Sequence, residues 1–431
     1  MKDIRISIGP GEVAGYFSNL KVGFGALGIP CEHFVLASNI YRYGGSNYFL
    51  KSIFESIPDW HRSEFILIKF LGYLTQMSMR LIVFVYALIN FDVFIFSGAG
   101  SFFKFYELPI LKLFKKKILV VYLGSDARPP FFSGRHLDIS GNYASPDALK
   151  FESIKIIKKI RRVEKYADVI VNHTATAQFF TRSFIRHVAV GVPMKIDSSK
   201  RNSHRIKSKK IRILHAPSRP LAKGSLVFRK IIDELRNEGY LIQFTELAGA
   251  PNRVVLKELQ RCDFVVDELY SDIPMAMFAS EAAMFGKPTV VGGYYADQYK
   301  LDNIDQEIPP SLYVLPNNIK EAIRSLIDDE SLRLQLGKRA QKFIQEHWNT
   351  GQVAKNYLRL INKSFPKHWE SKPEESSYYW GWGLSKENWH MQVQRYVSLK
   401  GQDALFLDHN QNQNLKGLIL QEIQKHAEVK K

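Results

Sequence analysis

Short apolar segments alternate with longer amphipathic ones along most of the chain. In the first part, a helix-like segment at 16–28 lies between apolar segments that are bounded by glycine or polar residues. The strand candidates are 4–9, 31–37, 91–97, 116–124 and 167–173. Buried apolar strands separated by helical segments are typical of a parallel, doubly wound sheet.

The same alternation restarts after a polar interruption at 197–210, which reads DSSKRNSHRIKSKK. The strand candidates of this second half are 211–217, 242–249, 264–269 and 289–294, and the helix candidates are 225–238, 252–262, 276–286 and about 318–363. Two similar α/β halves joined by a hinge place a ligand cleft between them. We therefore expect an α/β protein with two Rossmann-like domains facing a cleft.

The predicted domain organisation follows from these shifts in composition. It comprises an N-terminal domain at 1–196, a basic linker at 197–210, a C-terminal domain at 211–350, a helix at 351–365 that crosses back toward the N-terminal domain, and an extension at 366–431. The extension fits an appendage, an oligomerisation element or an acceptor-binding segment. For its Trp380, Trp382 and Trp389 we expect core or interface packing, with stacking on sugars or bases as the alternative.

The most apolar region is 65–98. Lys69, Arg80 and Asp92 interrupt it, and its longest clean run, Leu81–Ile89, is about half of what a membrane span needs. The pattern predicts a buried helix followed by a buried strand, and no membrane span. The alternative is a helix whose apolar face touches a membrane surface.

Composition and net charge limit the cellular location of the protein and the classes of binding partner that suit it. Among 431 residues the two cysteines, Cys31 and Cys262, form no CxxC pair, and the N-terminus lacks the features of a signal peptide, so we expect a reducing cytoplasmic location. The formal charge of +18 suits nucleic acid, an anionic membrane surface or a phosphorylated ligand. Because the basic residues are dispersed and no nucleic-acid motif accompanies them, we expect no nucleic-acid partner and a peripheral position on the inner membrane face.

Two segments of the second half carry candidate chemistry. HAPSRPLAKGS, at 215–225, leaves a strand and opens a helix, so Arg219 and Lys223 could stabilise negative charge there. The alternative is that both are ordinary loop charges. In SEAAMFGKPTVVGG, at 280–293, Glu281 stands on a helix of small apolar residues and needs a partner, for which a ribose diol or a cation of its own domain would serve.

These segments resemble the donor domain of glycosyltransferase family 4. HAPSRPLAKGS, ELAGAPNRVVLKELQRCDFVVDEL and EAAMFGKPTVV carry the resemblance in the second half, and FDVFIFSGAGSFF, LVVYLGSDARPP and YADVIVN carry it in the first. It covers about residues 4–365. It implies a GT-B fold and transfer from a nucleotide-sugar donor with retention of configuration. It implies no cofactor or metal, and the chain contains no Asp-x-Asp to hold one.

The resemblance also assigns site residues. Arg219, Lys223 and Asp126 would be catalytic, with the two cations on the diphosphate and Asp126 of GSDAR at the cleft. Glu281 would bind the ribose. The other donor-binding candidates are Ser218, Gly249, Asp272, Ala276, Gly11 and Gly15, the last two in a glycine-rich turn that would pack against phosphate and acceptor.

Three positions depart from the family pattern. Ile273 stands eight positions before Glu281, where a glutamate normally contacts the sugar; Leu123 replaces a histidine; and the Arg219–Lys223 spacing is one shorter than in many members. Separately, GFGALG at 23–28 fits G-x-G-x-x-G but falls at the end of a helix, so it does not predict a dinucleotide site.

The resulting prediction is a glycosyltransferase of bacterial polysaccharide or glycoconjugate synthesis, acting on a saccharide or lipid-linked acceptor. The alternatives are a catalytically silent GT-B module that binds a glycan or protein partner, which the missing glutamate favours, and a nucleotide-sugar epimerase. The cationic loop, Glu281 and GSDAR together favour the transferase.

Overall fold

The computed structural model describes residues 4–36, 65–137, 142–196, 210–301, 307–408 and 413–429. The predicted linker, apart from Lys210, lies outside the described residues.

The N-terminal domain is built on one sheet with the strand order β12-β6-β5-β4-β3-β1-β2, in which β12, Glu370–Ser371, comes from the extension. Its first six strands are Ile6–Ile8 (β1), Cys31–His33 (β2), Val93–Ser97 (β3), Lys117–Val121 (β4), Val169–Asn172 (β5) and Phe184–Arg186 (β6). Its helices are Tyr16–Ala26 (α1), Ile66–Asn90 (α2), Leu108–Leu113 (α3), Pro146–Tyr166 (α4) and His187–Val190 (α5). All pairings among β1 to β6 are parallel.

The second domain has a parallel sheet with the order β11-β10-β9-β7-β8. Its strands are Ile211–His215 (β7), Ile242–Glu246 (β8), Phe264–Val266 (β9), Thr289–Gly292 (β10) and Leu312–Val314 (β11). Its helices are Pro220–Lys223 (α6), Ser225–Asn237 (α7), Asn252–Leu259 (α8), Met277–Met284 (α9), Ala296–Leu301 (α10), Ile319–Asp328 (α11), Glu330–Glu346 (α12) and Thr350–Ile361 (α13).

The strand order fixes where a ligand can bind. In the first sheet β1 lies between β2 and β3, and in the second β7 lies between β8 and β9, so the direction of the chain connections reverses at β1 and at β7. In doubly wound sheets the crevice outside the carboxyl ends of the strands at such a reversal is the usual ligand site. The predicted α/β class with two Rossmann-like domains of the GT-B kind is confirmed.

Helix α13 packs against α1 of the N-terminal domain. The Tyr16 and Tyr357 hydroxyls lie 2.9 Å apart, and the Asn356 amide donates to the Val190 carbonyl at 3.0 Å. A Cβ at Gly23 would lie 2.1 Å from the Thr350 carbonyl oxygen, so this glycine permits the close approach of the two helices. The G-x-G-x-x-G sequence lies at the end of α1, as predicted, and its first glycine serves helix packing.

The expectation that the helix in 65–98 is buried was wrong. Its strand β3 is buried, but only 22% of the most apolar part of α2 is, and Ile66 and Leu67 are 83% and 70% exposed. Val83, Phe84 and Ala87, near its end, pack on the aromatic core. The 25-residue helix is also long and apolar enough to cross a bilayer by length and composition. It continues through Lys69 and Arg80, so these charges do not limit the length of the helix.

The extension docks on the N-terminal domain. Glu370–Ser371 (β12) pairs antiparallel with β6, and the helices Lys386–Lys400 (α14) and Gln413–Val429 (α15) follow. Trp389 is fully buried and stacks on Phe132 at a ring-centroid distance of 5.9 Å. The prediction that Trp389 packs in a core is therefore confirmed.

Candidate active site

A cavity of about 640 Å³ lies between the two domains. The loops that follow β1 and β4 line it on the N-terminal side, and those after β7, β8 and β9 line it on the other, so both sheets present their carboxyl ends to it. The predicted residues Ser218, Arg219, Lys223, Gly249, Asp272, Ala276 and Glu281 all line this cavity.

Glu281 is a buried carboxyl group at one end of the cavity. One of its oxygens accepts a hydrogen bond of 2.7 Å from the Asn252 amide, and within the described residues no lysine or arginine forms an ion pair with it. Burial raises its pKa to about 7, which the Asn252 bond only partly opposes. In the described part of the chain the second oxygen accepts no hydrogen bond, so pairing with a cation of its own domain does not explain this residue.

Lys223 lies at the end of the short helix α6 and is buried among carboxylates. Its ammonium group is 3.0 Å from Asp267 Oδ1 and 2.7 Å from Glu268 Oε1. Desolvation opposes the charge, but the two carboxylates outweigh it and raise the pKa of Lys223. The description as an ordinary loop charge is wrong for Lys223, because a loop charge would be solvated.

The two carboxylates respond differently to this environment. Burial raises the pKa of Asp267, and one oxygen of that group has no hydrogen-bond partner among the described residues. Burial also acts to raise the pKa of Glu268, but the nearby Lys223 ammonium reverses the effect and holds it below its usual range. The pair therefore keeps Lys223 charged and fixed at the cavity wall.

Arg219 stands immediately before α6, and its Nη1 donates to the Arg135 carbonyl at 2.5 Å. The chain then turns through Gly224 in the left-handed region (φ 78°) and opens α7 at Ser225. A Cβ at Gly224 would lie 2.5 Å from Leu269 Cβ, so glycine is needed for space as well. His215 anchors this turn by a 2.8 Å contact from its Nε2 to the Ser225 hydroxyl.

Asp272 does not offer a free carboxylate to a donor. Its Oδ2 accepts from Arg128 Nε at 2.8 Å and from Nη2 at 2.6 Å, and both side chains are buried. Burial raises the pKa of Asp272, and the guanidinium only partly offsets this. The pair joins the two domains across the cavity, so Asp272 has a structural partner where the sequence predicted a donor contact.

Three predicted residues do not line the cavity: Asp126, Gly11 and Gly15. Asp126 accepts the Leu123 amide with both oxygens, at 3.1 and 3.3 Å, and so closes its own turn. Its assignment to catalysis is therefore not supported by its position.

The glycine-rich turn presents its intervening residues instead. Glu12, Val13 and Ala14 line the cavity, and the Glu12 carboxylate accepts the backbone amides of Val13, Phe17 and Ser18 at 2.7, 3.2 and 2.9 Å. A phosphate would normally use such amides at a helix N-terminus. Because the Glu12 carboxylate already accepts the amides at the start of α1, the structure does not support the predicted phosphate contact at Gly11 and Gly15.

Some cavity residues were missed from the sequence. Arg128 belongs to the GSDAR segment, where the aspartate was chosen instead. Glu268 follows a buried strand directly, and two adjacent acids at that position were a usable signal. Trp382 was expected to pack in a core or an interface, with stacking on a sugar or base as the alternative. It is partly exposed and lines the cavity, so the expectation of core packing is wrong for this residue. Ile273 lines the cavity, so no acid replaces the family glutamate at that position.

The described residues contain no cluster of three or more histidine, cysteine or acidic side chains that could hold a metal ion. The cations that line the cavity are Arg128, Arg135, Arg219 and Lys223.

No protein-family model matches the sequence, and no curated protein matches it. Solved structures similar to this chain are GT-B glycosyltransferases. HepE from Anabaena, in complex with UDP, is 12% identical and is matched over 84% of this chain and 100% of its own, with a TM-score of 0.46. The lipopolysaccharide outer core galactosyltransferase WaaB in its apo form is 13% identical over 84% and 100%, with a TM-score of 0.44.

TarM from S. aureus, in complex with fondaparinux, alpha-GlcNAc-glycerol and UDP, is 14% identical and gives a TM-score of 0.40. The match covers 67% of this chain and 59% of that chain, so this chain spans little more than half of TarM. All three likenesses are weak. Fold class and function therefore rest on the sheets and the cavity residues of this chain.

Proposed function

We propose that the protein is a glycosyltransferase that moves a sugar from a nucleoside-diphosphate donor to a saccharide or lipid-linked acceptor. The observation that supports this best is the cavity itself, which places a buried carboxyl with a free oxygen and a fixed, buried ammonium group between two Rossmann-like domains. These are the groups that a ribose diol and a diphosphate need.

The chemical step breaks the bond between the anomeric carbon and the diphosphate oxygen. The bond's electron pair leaves with the diphosphate, while an acceptor hydroxyl forms the new bond and passes its proton to the departing diphosphate oxygen. Lys223 and Arg219 would stabilise the growing negative charge, and α7 begins two residues after Lys223. We propose retention of configuration, without a metal or cofactor, on the strength of the resemblance to family 4.

Product analysis separates this proposal from its alternatives. The protein is incubated with UDP-, GDP-, CMP- and dTDP-sugars, and the products are resolved by anion-exchange chromatography. A transferase releases free nucleotide, slowly by hydrolysis and faster with an acceptor. An epimerase gives a second nucleotide sugar and no free nucleotide, and a silent module leaves every donor intact. Either of the last two results would contradict the proposal.

Donor binding is expected to depend on the ionisation of Glu281. A carboxylate accepts two ribose hydroxyls, whereas the protonated acid accepts them less well, so affinity should rise as the pH increases through about 7. Titration calorimetry with the nucleoside diphosphate between pH 6 and 8 measures this. Glu281→Gln should bind about 10-fold or more weakly, because hydrogen bonds to a charged group are worth about 1.5–3 kcal/mol.

The control for this prediction is the 2′-deoxy form of the same nucleotide. It lacks one ribose hydroxyl, so the unaltered protein should bind it more weakly, and the Glu281→Gln protein should discriminate less between the two forms. The pH dependence of the unfolding free energy tests the same assignment independently. Because the pKa of Glu281 is raised in the folded protein, the unaltered protein should lose stability as the pH rises from about 4.5 to about 7. Glu281→Gln should not show that loss. Equal discrimination in both proteins would contradict the assignment of Glu281.

We further propose that the enzyme works on the cytoplasmic side of an anionic membrane, in polysaccharide or glycoconjugate synthesis. The exposed face of α2 supports this, since Phe84 joins it through Phe103, at 5.6 Å, to the α3 region. There Leu113 and Phe114 are exposed beside Lys115. Apolar side chains next to basic ones match the interior and headgroups of an anionic bilayer.

Replacing Ile66, Leu67 and Phe70 together by serine is expected to weaken binding to phosphatidylglycerol vesicles in a flotation assay. The unfolding free energy should change little, because the side chains are exposed and surface substitutions usually stay within about 0.5 kcal/mol each. Leu226→Ser, at an exposed position of the second domain, serves as the control. Unchanged flotation of the triple variant would contradict the membrane assignment.

A further inference from the structure

The segment Gly381–Trp382–Gly383 of the extension, here called the strap, bridges the two domains. The Gly134 amide donates to the Trp382 carbonyl at 2.7 Å, and the Gly383 amide donates to the Tyr270 carbonyl at 2.9 Å. Gly134 belongs to the N-terminal domain and Tyr270 to the second domain. The backbone on both sides of Trp382 is therefore held by both walls of the cleft.

The two glycines of the strap are required by space and conformation. Their φ angles are 73° and 77°, in the left-handed region that favours glycine. A Cβ at Gly381 would lie 2.1 Å from the Phe132 carbonyl oxygen, and one at Gly383 would lie 3.0 Å from Ala222 Cβ. Trp382 thus stands on a backbone with little freedom to move.

The Trp382 side chain lines the cavity. Its indole Nε1–H donates to the Glu268 carboxylate, and the Arg128 guanidinium carbon lies 5.7 Å from its ring centroid. Each of these two partners is itself held, Glu268 by Lys223 and Arg128 by Asp272. The ring is therefore oriented by a buried charged network while part of it faces the cavity.

A chain of contacts along the cavity wall places Trp382 at the sugar end. Asp267 acts on Glu281 through its charge and also binds Lys223. Lys223 in turn binds Glu268, which accepts the hydrogen bond of the Trp382 indole. If Glu281 holds the ribose and Lys223 the diphosphate, Trp382 therefore lies on the side of Lys223 away from the ribose, where the sugar is attached. We propose that Trp382 forms one wall of the subsite for the transferred sugar and determines which sugars are accepted. This inference rests on the proposed function. It assigns a specificity role in the cleft to the extension, which lies outside the region of family resemblance.

The chemistry of the wall suits a hexose ring. At this wall the apolar side chains of Ile273 and Trp382 stand beside charged groups, and such a combination fixes the orientation of a ligand while excluding water. A fixed indole ring gives an apolar contact to the carbon face of a pyranose. A sugar that differs in the direction of one hydroxyl would present a different face to the ring and change this contact.

The test compares sugar recognition with nucleotide recognition. Dissociation constants are measured by calorimetry for UDP, GDP and dTDP, and for UDP-glucose, UDP-galactose, UDP-N-acetylglucosamine, GDP-mannose and dTDP-glucose. The quantity of interest is the affinity of each sugar nucleotide relative to its own nucleoside diphosphate. Trp382→Ala is expected to change this ratio by about 10-fold for the preferred sugar and to leave nucleoside diphosphate binding within about 2-fold.

Two further variants keep the test decisive. Trp382→Phe retains a ring but loses the bond to Glu268, so it should fold and shift the ratio in the same direction by less. Trp380→Phe is the matched control, because Trp380 packs on Trp389 at 5.0 Å and does not line the cavity, and it should leave the ratio unchanged. Thermal unfolding of each variant reports folding.

The outcomes are distinct. An unchanged ratio in both Trp382 variants overturns the inference, and so does an equal loss of affinity for nucleoside diphosphates and sugar nucleotides, which indicates a purely structural role. If the unaltered protein binds none of the nucleoside diphosphates, the proposed function fails and the inference fails with it. A changed ratio with retained nucleotide binding supports both.

Discussion

Lys223→Ala is expected to lower transfer activity by about 10²–10³-fold, the usual loss when one preorganised group that stabilises developing charge is removed. The substitution also leaves Asp267 and Glu268 buried without their cation. Breaking a buried ion pair by removing one partner costs about 3–5 kcal/mol of stability. Urea unfolding and nucleotide release measured on the same preparation give the two numbers.

The pH dependence identifies the cause of the Lys223→Ala effect. Lys223 holds the pKa of Glu268 below its usual range, so its contribution to stability is present above that range and is lost as the pH falls. The destabilisation should therefore be largest near pH 7.5 and smaller near pH 4, where the contribution of the pair is being lost and the orphaned carboxylates take up protons. Lys320→Ala, which removes a half-buried lysine that pairs with Glu234 and Glu238 away from the cavity, is the control and should leave activity unchanged. Full activity in Lys223→Ala would contradict the assigned role.

Arg128→Ala is expected to have the second largest effect, because it breaks the buried pair that joins the domains. Asp272 would remain buried without its cation, at a cost of about 3–5 kcal/mol, and Trp382 would lose the cation near its ring. Sugar recognition should weaken together with stability. Unfolding and donor binding are measured for the single variant.

The double variant Arg128→Ala/Asp272→Ala measures how much of the lost stability comes from the interaction between the two side chains. Since it leaves no orphaned charge, it should be more stable than Arg128→Ala alone, which is a large departure from additivity. The destabilisation of the single variant should also shrink at low pH, because burial already raises the pKa of Asp272. Additive losses in the double-mutant cycle would contradict the description of a coupled cross-domain pair.

The strands and most helices were predictable because their signals are local. The run Lys117–Val121 is apolar and bounded by turns, and α7 has Ile231, Ile232 and Leu235 on one buried face. The positions of Lys223 and Glu281 in the cleft followed from their places after a strand and on a small-residue helix. Local patterns of this kind predict where a strand or helix lies, and also which residues follow the carboxyl end of a strand.

Other features depend on contacts between distant parts of the chain. Trp382 and Glu268 are 114 positions apart, and nothing near either residue indicates the bond. The exposure of α2 was not predicted, because an apolar sequence indicates that a helix avoids water but does not show whether the protein itself or another apolar surface covers it. In the GSDAR segment the sequence could not decide between Asp126, which closes its own turn, and Arg128, which reaches the other domain.

The central claim is that the cleft binds a nucleotide-sugar donor through Lys223 and Glu281. Thermal unfolding of the purified protein against millimolar UDP-, GDP-, CMP- and dTDP-sugars tests it most directly, since a ligand at 100 times its Kd contributes about 2.7 kcal/mol. We expect one nucleotide class to raise the Tm of the unaltered protein, and Lys223→Ala and Glu281→Ala to lose that rise. No rise with any nucleotide, or an undiminished rise in both variants, would contradict the claim.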